Sequence, residues 1–188
     1  MKKRIKQFRE FVTLSNYKKV IIRPTIDKDK EMVYELFQRA DESDMIFLKD
    51  KVKNRETVER WYSEIDFSKV LPIIAQYEDK IVGNTTLHFM TKSKRHMAEI
   101  RIFLDKEFRG IGLGSYLVKS QIKIAKELGL KFIIAEIISE HYKLIKSFRK
   151  LGFSRKCDLE DYFMTESGDT YDVTIMMYDL QKKESFEF

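Results

Sequence analysis

The chain has 188 residues, of which 43% are hydrophobic and 35% charged, a composition typical of one soluble globular domain. The formal net charge of +6 fits a solvated basic surface, an anionic cofactor or an acidic partner surface, and interspersed acidic residues argue against a nucleic-acid partner. A single cysteine, no apolar run of membrane-spanning length and no signal peptide predict a cytoplasmic protein without an internal disulfide or a membrane partner.

The N-terminal residues form a segment apart from the rest of the chain. Ile5, Phe8 and Val12 recur at helical spacing, which predicts a short basic helix over residues 3–12. This helix either docks against the domain or contacts a membrane surface or a partner. The predicted organisation is an N-terminal helical extension at 1–18, one domain at 19–181 and a charged tail at 182–188.

The main domain alternates helical and strand patterns. In chain order we predict a strand at 19–23, helices at 32–40 and 56–65, strands at 71–77, 80–90 and Met97–Leu104, a helix at 113–128, a strand at Phe132–Ile138, a helix at Tyr142–Lys150, and strands at 153–159 and 171–180. Short connections in the middle indicate an antiparallel meander. The nearly continuous apolar strand at Phe132–Ile138 indicates a position covered on both faces. The order predicts an α/β domain with a mixed sheet.

A glycine-rich turn is the most informative segment of the chain. Arg109-Gly110-Ile111-Gly112-Leu113-Gly114 follows an apolar strand and opens an amphipathic helix. Backbone N–H groups at a helix start lack intrahelical partners, and the helix dipole adds partial positive charge, so the turn suits a phosphate or pyrophosphate. A nucleotide-like cofactor is therefore predicted. A dinucleotide-binding fold fits less well, because its glycine turn normally follows the first strand.

Three motifs, in this element order, resemble the GNAT superfamily of acyl-CoA-dependent N-acyltransferases. The first is the glycine-rich turn with the strand end before it, at residues 104–114. The second, at residues 144–153, ends in Leu151-Gly152-Phe153. The third, Ala98-Glu99-Ile100, resembles the fourth strand of histone-type and bacterial protein-lysine acetyltransferases, and the chain as a whole is similar to bacterial and archaeal protein-lysine acetyltransferase domains. The resemblance covers about residues 20–180.

This resemblance implies a GNAT-like α/β fold, with a mixed, mostly antiparallel central sheet flanked by helices. The family's fourth and fifth strands, here Met97–Leu104 and Phe132–Ile138, would splay apart to admit the pantetheine arm of acetyl-CoA, and the pyrophosphate would lie on the N–H groups of the turn with Arg109 alongside. The implied cofactor-binding residues are Phe103, Leu104, Arg109, Gly110, Ile111, Gly112, Leu113, Gly114, Ser115, His141 and Phe148.

Glu99 is the candidate catalytic residue. Strand alternation places it with Arg101 and Phe103, opposite the apolar face that carries Ala98, Ile100, Ile102 and Leu104. A carboxylate on a central strand must be paired or face a cleft, so Glu99 is either the structural partner of Arg101 or a general base. The resemblance implies direct attack of an amine on acetyl-CoA, and an amine with a pKa of about 10.4 needs a base at neutral pH.

The resemblance leaves the acceptor open. The Ala-Glu-Ile strand favours a protein lysine, followed by a small amine, polyamine, amino acid or antibiotic, and then by a protein N-terminus. A non-catalytic acyl-CoA sensor is the alternative from another class. Phe148 stands where many family members have a tyrosine that protonates the departing thiolate, so the general acid is open as well. Homodimers are common in the family and are also left open here.

A metal site is not predicted. His88, His96 and His141 lack metal-ligand spacing with Cys157. Cys157 itself is predicted to be a buried thiol on a late strand.

Overall fold

A computed structural model describes residues 5–45, 48 and 51–182, without the side chains of residues 42 and 45. Its centre is an eight-stranded sheet in the order β1-β2-β3-β4-β5-β6-β8-β7. Every neighbouring pair is antiparallel except β5 and β6. The strands are β1 (Glu10–Thr13), β2 (Lys19–Pro24), β3 (Val70–Tyr77), β4 (Lys80–Phe89), β5 (Met97–Leu104), β6 (Phe132–Ile138), β7 (Ser154–Met164) and β8 (Thr170–Asp179).

Helices cover both faces of this sheet. The sheet therefore separates two apolar clusters, one beneath the helices of each face. The described α-helices are α1 (Lys30–Gln38), α2 (Glu42–Met45), α3 (Arg55–Ser63), α4 (Leu113–Glu127) and α5 (Tyr142–Lys150). Buried residues of α1 and α3 form one cluster with Ile74, Ile81 and Phe103, while those of α4 and α5 form the other with the opposite face of the strands. The α/β architecture predicted from the sequence is confirmed.

Strand β5 has the alternation that the sequence predicts. Ala98 and Ile100 are buried in the cluster beneath α4, whereas Phe103 lies in the cluster beneath α1. Since successive side chains of a strand point to opposite faces, Glu99 and Arg101 share the α1 side with Phe103.

Strands β5 and β6 separate soon after they meet. They pair in parallel only at Met97–Phe132, Ala98–Ile133 and Glu99–Ile134. Beyond that point β6 continues along β8, to which it is paired over its whole length, while β5 continues along β4. The predicted splay is therefore present, and the edge of β5 after Glu99 faces a gap (the splay gap).

The N-terminal prediction is wrong in part. Glu10–Thr13, which falls inside the predicted helix at 3–12, is strand β1, paired antiparallel with β2. Val12 packs against the core whereas Phe11 is exposed, so a period of two replaces the helical spacing of Ile5, Phe8 and Val12. Residues 10–13 form a strand because the edge of β2 offers them backbone hydrogen-bonding partners. The residue pattern of this segment alone does not show that such an edge is available. Residues 1–4 and 183–188 lie outside the described residues, as do Ile46 and Phe47.

The Leu-Gly-Phe motif is the end of α5. Gly152 has φ +97° and donates its N–H to Arg149 O at 3.0 Å, while the Phe153 N–H donates to Phe148 O at 3.1 Å. These are the two hydrogen bonds of a Schellman motif, and the Phe148 and Phe153 rings supply its apolar contact with centroids 4.9 Å apart. The motif therefore fixes how the chain leaves α5 and enters β7.

Cys157 is exposed, and the predicted buried thiol is wrong. Strand β7 is the last strand of the sheet, and most of its residues are exposed. The strand predicted here is present, but it is an edge strand with little covering it, so both of its faces are open to solvent.

Among the described helices, none is long and apolar enough to cross a membrane.

Candidate active site

The backbone of β5 presents hydrogen-bonding groups to the splay gap. On the other edge, the Met90 N–H donates to Met97 O, and the Asp105 N–H donates to Val82 O. Antiparallel pairing alternates these groups along the strand, so odd-numbered residues bond to β4 and even-numbered ones point away from it. Past the last β6 partner, the N–H and C=O groups of Ile102 and Leu104 therefore face the gap.

The glycine-rich turn lies at the start of α4, beside this edge. Gly112 is the N-cap of α4 with φ +93°, a left-handed conformation that a side chain disfavours. Gly114 lies so close to β5 that a Cβ there would be 3.3 Å from Leu104 Cδ1. From the opposite side, the Ser15 N–H and Oγ donate to Ile111 O at 3.3 and 3.4 Å. The turn is thus fixed by the hydrogen bonds that the Ile111 carbonyl accepts from Ser15 and by the close packing of Gly114 on β5.

This arrangement fits an acyl-CoA cofactor. The first N–H groups of α4 have no intrahelical acceptors, Gly112 provides no side-chain cap, and the first turn carries no acidic residue. A Cβ added at Gly110 would meet nothing within 4 Å, so the space outside the turn is open. Residues 110–115 therefore suit a pyrophosphate, and the free edge of β5 suits an extended amide-bearing arm.

Arg109 is engaged by groups of the protein. Its guanidinium donates through Nε and Nη2 to Leu104 O at 3.1 and 3.0 Å. Two further bonds, at 3.0 and 2.7 Å, pair it with both carboxylate oxygens of Asp44. The predicted cofactor residue thus holds a carbonyl at the splay gap and a residue of α2.

Three other predicted cofactor residues occupy different environments. His141 is exposed at the N-cap of α5. The Phe148 ring is buried in the core against Phe153. Phe103 is an odd-numbered residue of β5, so its backbone bonds to β4 and its side chain packs against Phe37, with ring centroids 5.1 Å apart. Leu104 is the predicted residue whose backbone reaches the gap.

A cavity of about 350 Å³ lies between β3, β4 and β5 on one side and α1 and α3 on the other. Apolar and aromatic side chains form most of its wall, whereas polar side chains of β4 and β5 line the sheet side. The cavity also touches Ile102, whose backbone faces the splay gap, so the two spaces meet at β5. The aromatic wall consists of Phe37, Trp61, Tyr62 and Phe103, and the polar strip of Asn84, Thr86, His88 and Arg101.

Glu99 lies at the end of this polar strip. Its Oε1 accepts from Arg101 Nε at 2.9 Å and its Oε2 accepts from Nη2 at 3.3 Å. The Glu99 side chain is 14% exposed and that of Arg101 33%. His88 stands opposite Glu99 in the β4–β5 register and bonds to Thr86 Oγ1 at 2.9 Å. Glu99 is thus paired and also adjacent to a cleft, so each interpretation of it has a structural basis.

Tyr62 is held as a neutral phenol on the cavity wall. Burial raises the pKa of Tyr62 above its ordinary value, and its Oη lies 2.5 Å from Thr25 Oγ1. Thr25 in turn contacts Asp29, which is buried and paired with Arg23 at 2.6 Å. This network connects α3 to the start of α1 and fixes one wall of the cavity.

Several site residues were missed by the sequence analysis. Asn84 and Thr86 of the polar strip occupy alternate positions of β4, and this alternation is visible in the sequence. It does not show which face of the strand lines a cavity rather than packing against a helix. Ile102 was assigned only to the apolar face, because its side chain is apolar and its backbone orientation depends on the β4 register. Among the described residues, no group of three or more His, Cys, Asp or Glu side chains could hold a metal ion.

Residues 30–153 match the model of the acetyltransferase (GNAT) family. The match includes the splayed strands, the glycine-rich turn and the Leu-Gly-Phe end of α5. The chain belongs to the GNAT family. A Bacillus subtilis relative, provisionally named phosphinothricin acetyltransferase, is 34% identical over 79 residues, which is 42% of this chain and 48% of the relative. The alignment therefore spans less than half of that relative's length.

Solved GNAT structures have the same fold. The ribosomal-protein-S5-alanine acetyltransferase of Vibrio fischeri superposes with a TM-score of 0.79 at 19% identity, covering 93% of this chain and 98% of that one. A provisionally named acetyltransferase of Salmonella typhimurium, solved with its cofactor acetyl-CoA, gives a TM-score of 0.75 at 18% identity over 88% of this chain and 96% of that one. The names of these GNAT proteins differ in the acceptor, so their fold alone does not identify the acceptor of this chain.

Proposed function

We propose that this GNAT protein is an acetyl-CoA-dependent N-acetyltransferase that acetylates the primary amine of a small molecule by direct attack in a ternary complex. The observation that carries the proposal is the meeting of two spaces at β5. The splay gap reaches β5 from the α4 side, and the cavity beneath α1 and α3 reaches it from the other side. A donor and an acceptor bound in the two spaces would meet beside Glu99.

The residues that would hold acetyl-CoA are those of the glycine-rich turn and the β5 edge. The N–H groups of residues 110–115 would bind the pyrophosphate, and the Ile102 C=O and Leu104 N–H, which face the splay gap, would pair with the pantetheine arm. Arg109 and His141 stay predicted cofactor residues, whereas the rings of Phe103 and Phe148 pack against Phe37 and Phe153. When bound, acetyl-CoA supplies the activated acetyl thioester.

Glu99 acts as the general base. An ammonium group cannot attack a thioester, and at pH 7.4 only one in ~1,000 amines with a pKa of about 10.4 is neutral. A carboxylate beside the cavity takes the proton, directly or through water, as the amine attacks. Arg101 fixes the orientation of the Glu99 carboxylate through two hydrogen bonds. The Ile102 N–H, which faces the gap, is available to stabilise negative charge on an acyl oxygen.

No side-chain acid is proposed for the departing thiolate. Phe148 has no proton to give, and its ring is buried against Phe153. Tyr116 is partly exposed near the turn and Tyr142 is exposed at the start of α5, but neither has a contact that identifies it as an acid. Because the thiolate of CoA is a tolerable leaving group, water serves as the proton source.

A small-molecule amine fits the cavity better than a protein lysine does. The volume of about 350 Å³ is within the range of small-molecule sites, and most of the wall is apolar. The aromatic wall suits an apolar body, and the polar strip ends beside Glu99, where the reacting amine is needed. A lysine side chain of a protein substrate would leave much of this wall uncovered.

The test is acetyl transfer from labelled acetyl-CoA to matched acceptor pools. One pool contains small amines, with apolar amino acids, arylalkylamines and polyamines kept separate, and the other contains dialysed, denatured lysate proteins. Labelled small amines with apolar bodies, lost in Trp61→Ala, are the expected result. Label confined to protein lysines would overturn the acceptor class. Acetyl-CoA binding without label in any pool would instead favour a non-catalytic acyl-CoA sensor.

A cytoplasmic location and a possible homodimer complete the proposal. A single exposed cysteine with no disulfide partner is typical of a reducing, cytoplasmic compartment. A homodimer is the oligomer to test, by light scattering, because homodimers are common in the family and the last strand of the sheet, β7, is mostly exposed.

A further inference from the structure

Three ion pairs join the segment after α1 to the segment after β5. Asp105 accepts from Arg39 at 2.7 Å, Asp41 from Lys106 at 2.7 Å, and Asp44 from Arg109 at 2.7 and 3.0 Å. The first segment supplies the positive charge of one pair, Arg39, and the second segment supplies those of the other two, Lys106 and Arg109, so neither segment contributes only one sign. We name these three pairs the ionic strap.

The ionic strap connects two different sites. Asp41 and Asp44 lie in the chain between Phe37 and Leu48, which both line the cavity. On the other side, residues 105–109 run directly from the end of β5 into the glycine-rich turn. The strap therefore fixes the position of one cavity wall relative to the cofactor edge.

Arg109 is the junction of this arrangement. Its guanidinium caps the Leu104 carbonyl that faces the splay gap, and its carbon lies 5.8 Å from the centre of the Phe103 ring, a cavity residue. Asp44 occupies both terminal nitrogens of the same guanidinium and thereby sets its orientation. One side chain thus contacts the cofactor edge, the cavity wall and the α2 segment.

We propose that Asp44 is a positioning residue that acts through Arg109 on the cofactor-binding edge of β5 and couples this edge to the acceptor wall. The inference rests on the proposed function, because it assumes that acetyl-CoA occupies the splay gap. With Asp44 in place, Arg109 stays on Leu104 O, and the end of β5 keeps the position that the arm requires. Movement of the α2 segment is transmitted to the cofactor edge, and by linkage the reverse also holds.

The burial of the Arg109 pair distinguishes it from an ordinary surface pair. Its side chains are 38% and 24% exposed, and its geometry is bidentate. Bidentate and networked pairs hold their geometry better than isolated exposed ones, which often contribute nothing measurable. The pair of Arg55 and Glu31 is the matched control: it joins α1 to α3 with the same 2.7 Å separation, is about half exposed, and is remote from the turn.

The experiment measures CoA binding by calorimetry in the full chain and in Asp44→Asn, Asp44→Glu and Glu31→Gln. Hydrogen exchange of residues 36–45 is followed with and without CoA. We expect Asp44→Asn to raise the Kd for CoA about two- to fivefold, Asp44→Glu to recover most of the loss, and Glu31→Gln to leave it unchanged. CoA should slow exchange in residues 36–45 of the wild type and of Glu31→Gln, but not of Asp44→Asn.

The outcomes separate this inference from the proposed function. If the wild type does not bind CoA, the proposed function fails. If the wild type binds CoA and Asp44→Asn binds it equally well or more tightly, the positioning role is refuted while the proposed function stands. Equal losses in Asp44→Asn and Glu31→Gln would also refute it, because they would indicate a general effect on folding. Thermal unfolding of each variant checks that the chain remains folded.

Discussion

Replacing Glu99 by Gln should remove the general base while preserving the fold. Gln has nearly the same volume and can still accept one hydrogen bond from Arg101. The pair of Arg101 and Glu99 is 33% and 14% exposed, so water can hydrate the Arg101 guanidinium, and we expect a loss of no more than about 1 kcal/mol in the free energy of unfolding. In a domain of this size that lowers Tm by only about 2–4 °C.

The catalytic effect should be far larger. Loss of a general base typically costs about 10²–10⁴ in rate, so kcat should fall by at least about 100-fold while the Kd for acetyl-CoA is unchanged. The neutral fraction of a free amine rises about tenfold per pH unit below its pKa. The variant's kcat/KM should therefore climb about tenfold per unit between pH 7 and 9, more steeply than that of the wild type.

The assay is thiol release from acetyl-CoA in the presence of the best acceptor, measured across this pH range. Arg101→Gln is the control, because it breaks the same ion pair but retains the carboxylate. A variant Glu99→Gln that keeps kcat within about threefold, or that has the pH slope of the wild type, would refute the base. Equal losses in the two variants would assign Glu99 a structural role as the partner of Arg101.

Three further predictions concern the turn, the Leu-Gly-Phe motif and the cavity. Gly112→Ala should raise the Kd for CoA by about tenfold or more, because a methyl group enters the turn and disfavours its left-handed conformation. Gly168→Ala, at the same φ of +93° in the β7–β8 turn, should lose similar stability with no change in that Kd, and equal Kd values for both would exclude the turn as the phosphate site. Gly152→Ala should destabilise the protein by about 2–3 kcal/mol in chemical denaturation, more than Gly168→Ala, because its Cβ would lie 3.0 Å from Tyr178. Trp61→Ala should raise the acceptor KM about tenfold in steady-state assays without altering CoA binding, and a change confined to CoA binding would contradict the cavity assignment.

The local sequence specifies most of the element order and the cofactor turn. Strand β5, strand β6 and helix α5 have the predicted bounds, because their apolar patterns and glycine stops act within a few residues. Ala98 and Ile100 share one buried face, as the alternation predicts. The glycine-rich turn is a local feature too, since Gly112 can adopt a positive φ whatever surrounds it.

Features that depend on partners distant in the chain could not be predicted in this way. The helical spacing of Ile5, Phe8 and Val12 extends into residues 10–13, but this segment forms strand β1 because it pairs with the edge of β2. The exposure of Cys157 follows from the position of β7 at the edge of the sheet. Arg109 was predicted only as a cofactor residue, and its bonds to Asp44 and Leu104 require two segments to fold together.

By itself, the sequence determined the α/β class, the GNAT resemblance, the glycine-rich turn and the face on which Glu99 lies. These features depend on periodicity and on backbone conformations that a few neighbouring residues enforce. Only the tertiary structure decided where β5 and β6 part, which backbone groups face the gap, and how the cavity meets that gap at Ile102. These depend on strand register and helix packing, which arise from contacts between residues far apart in the chain.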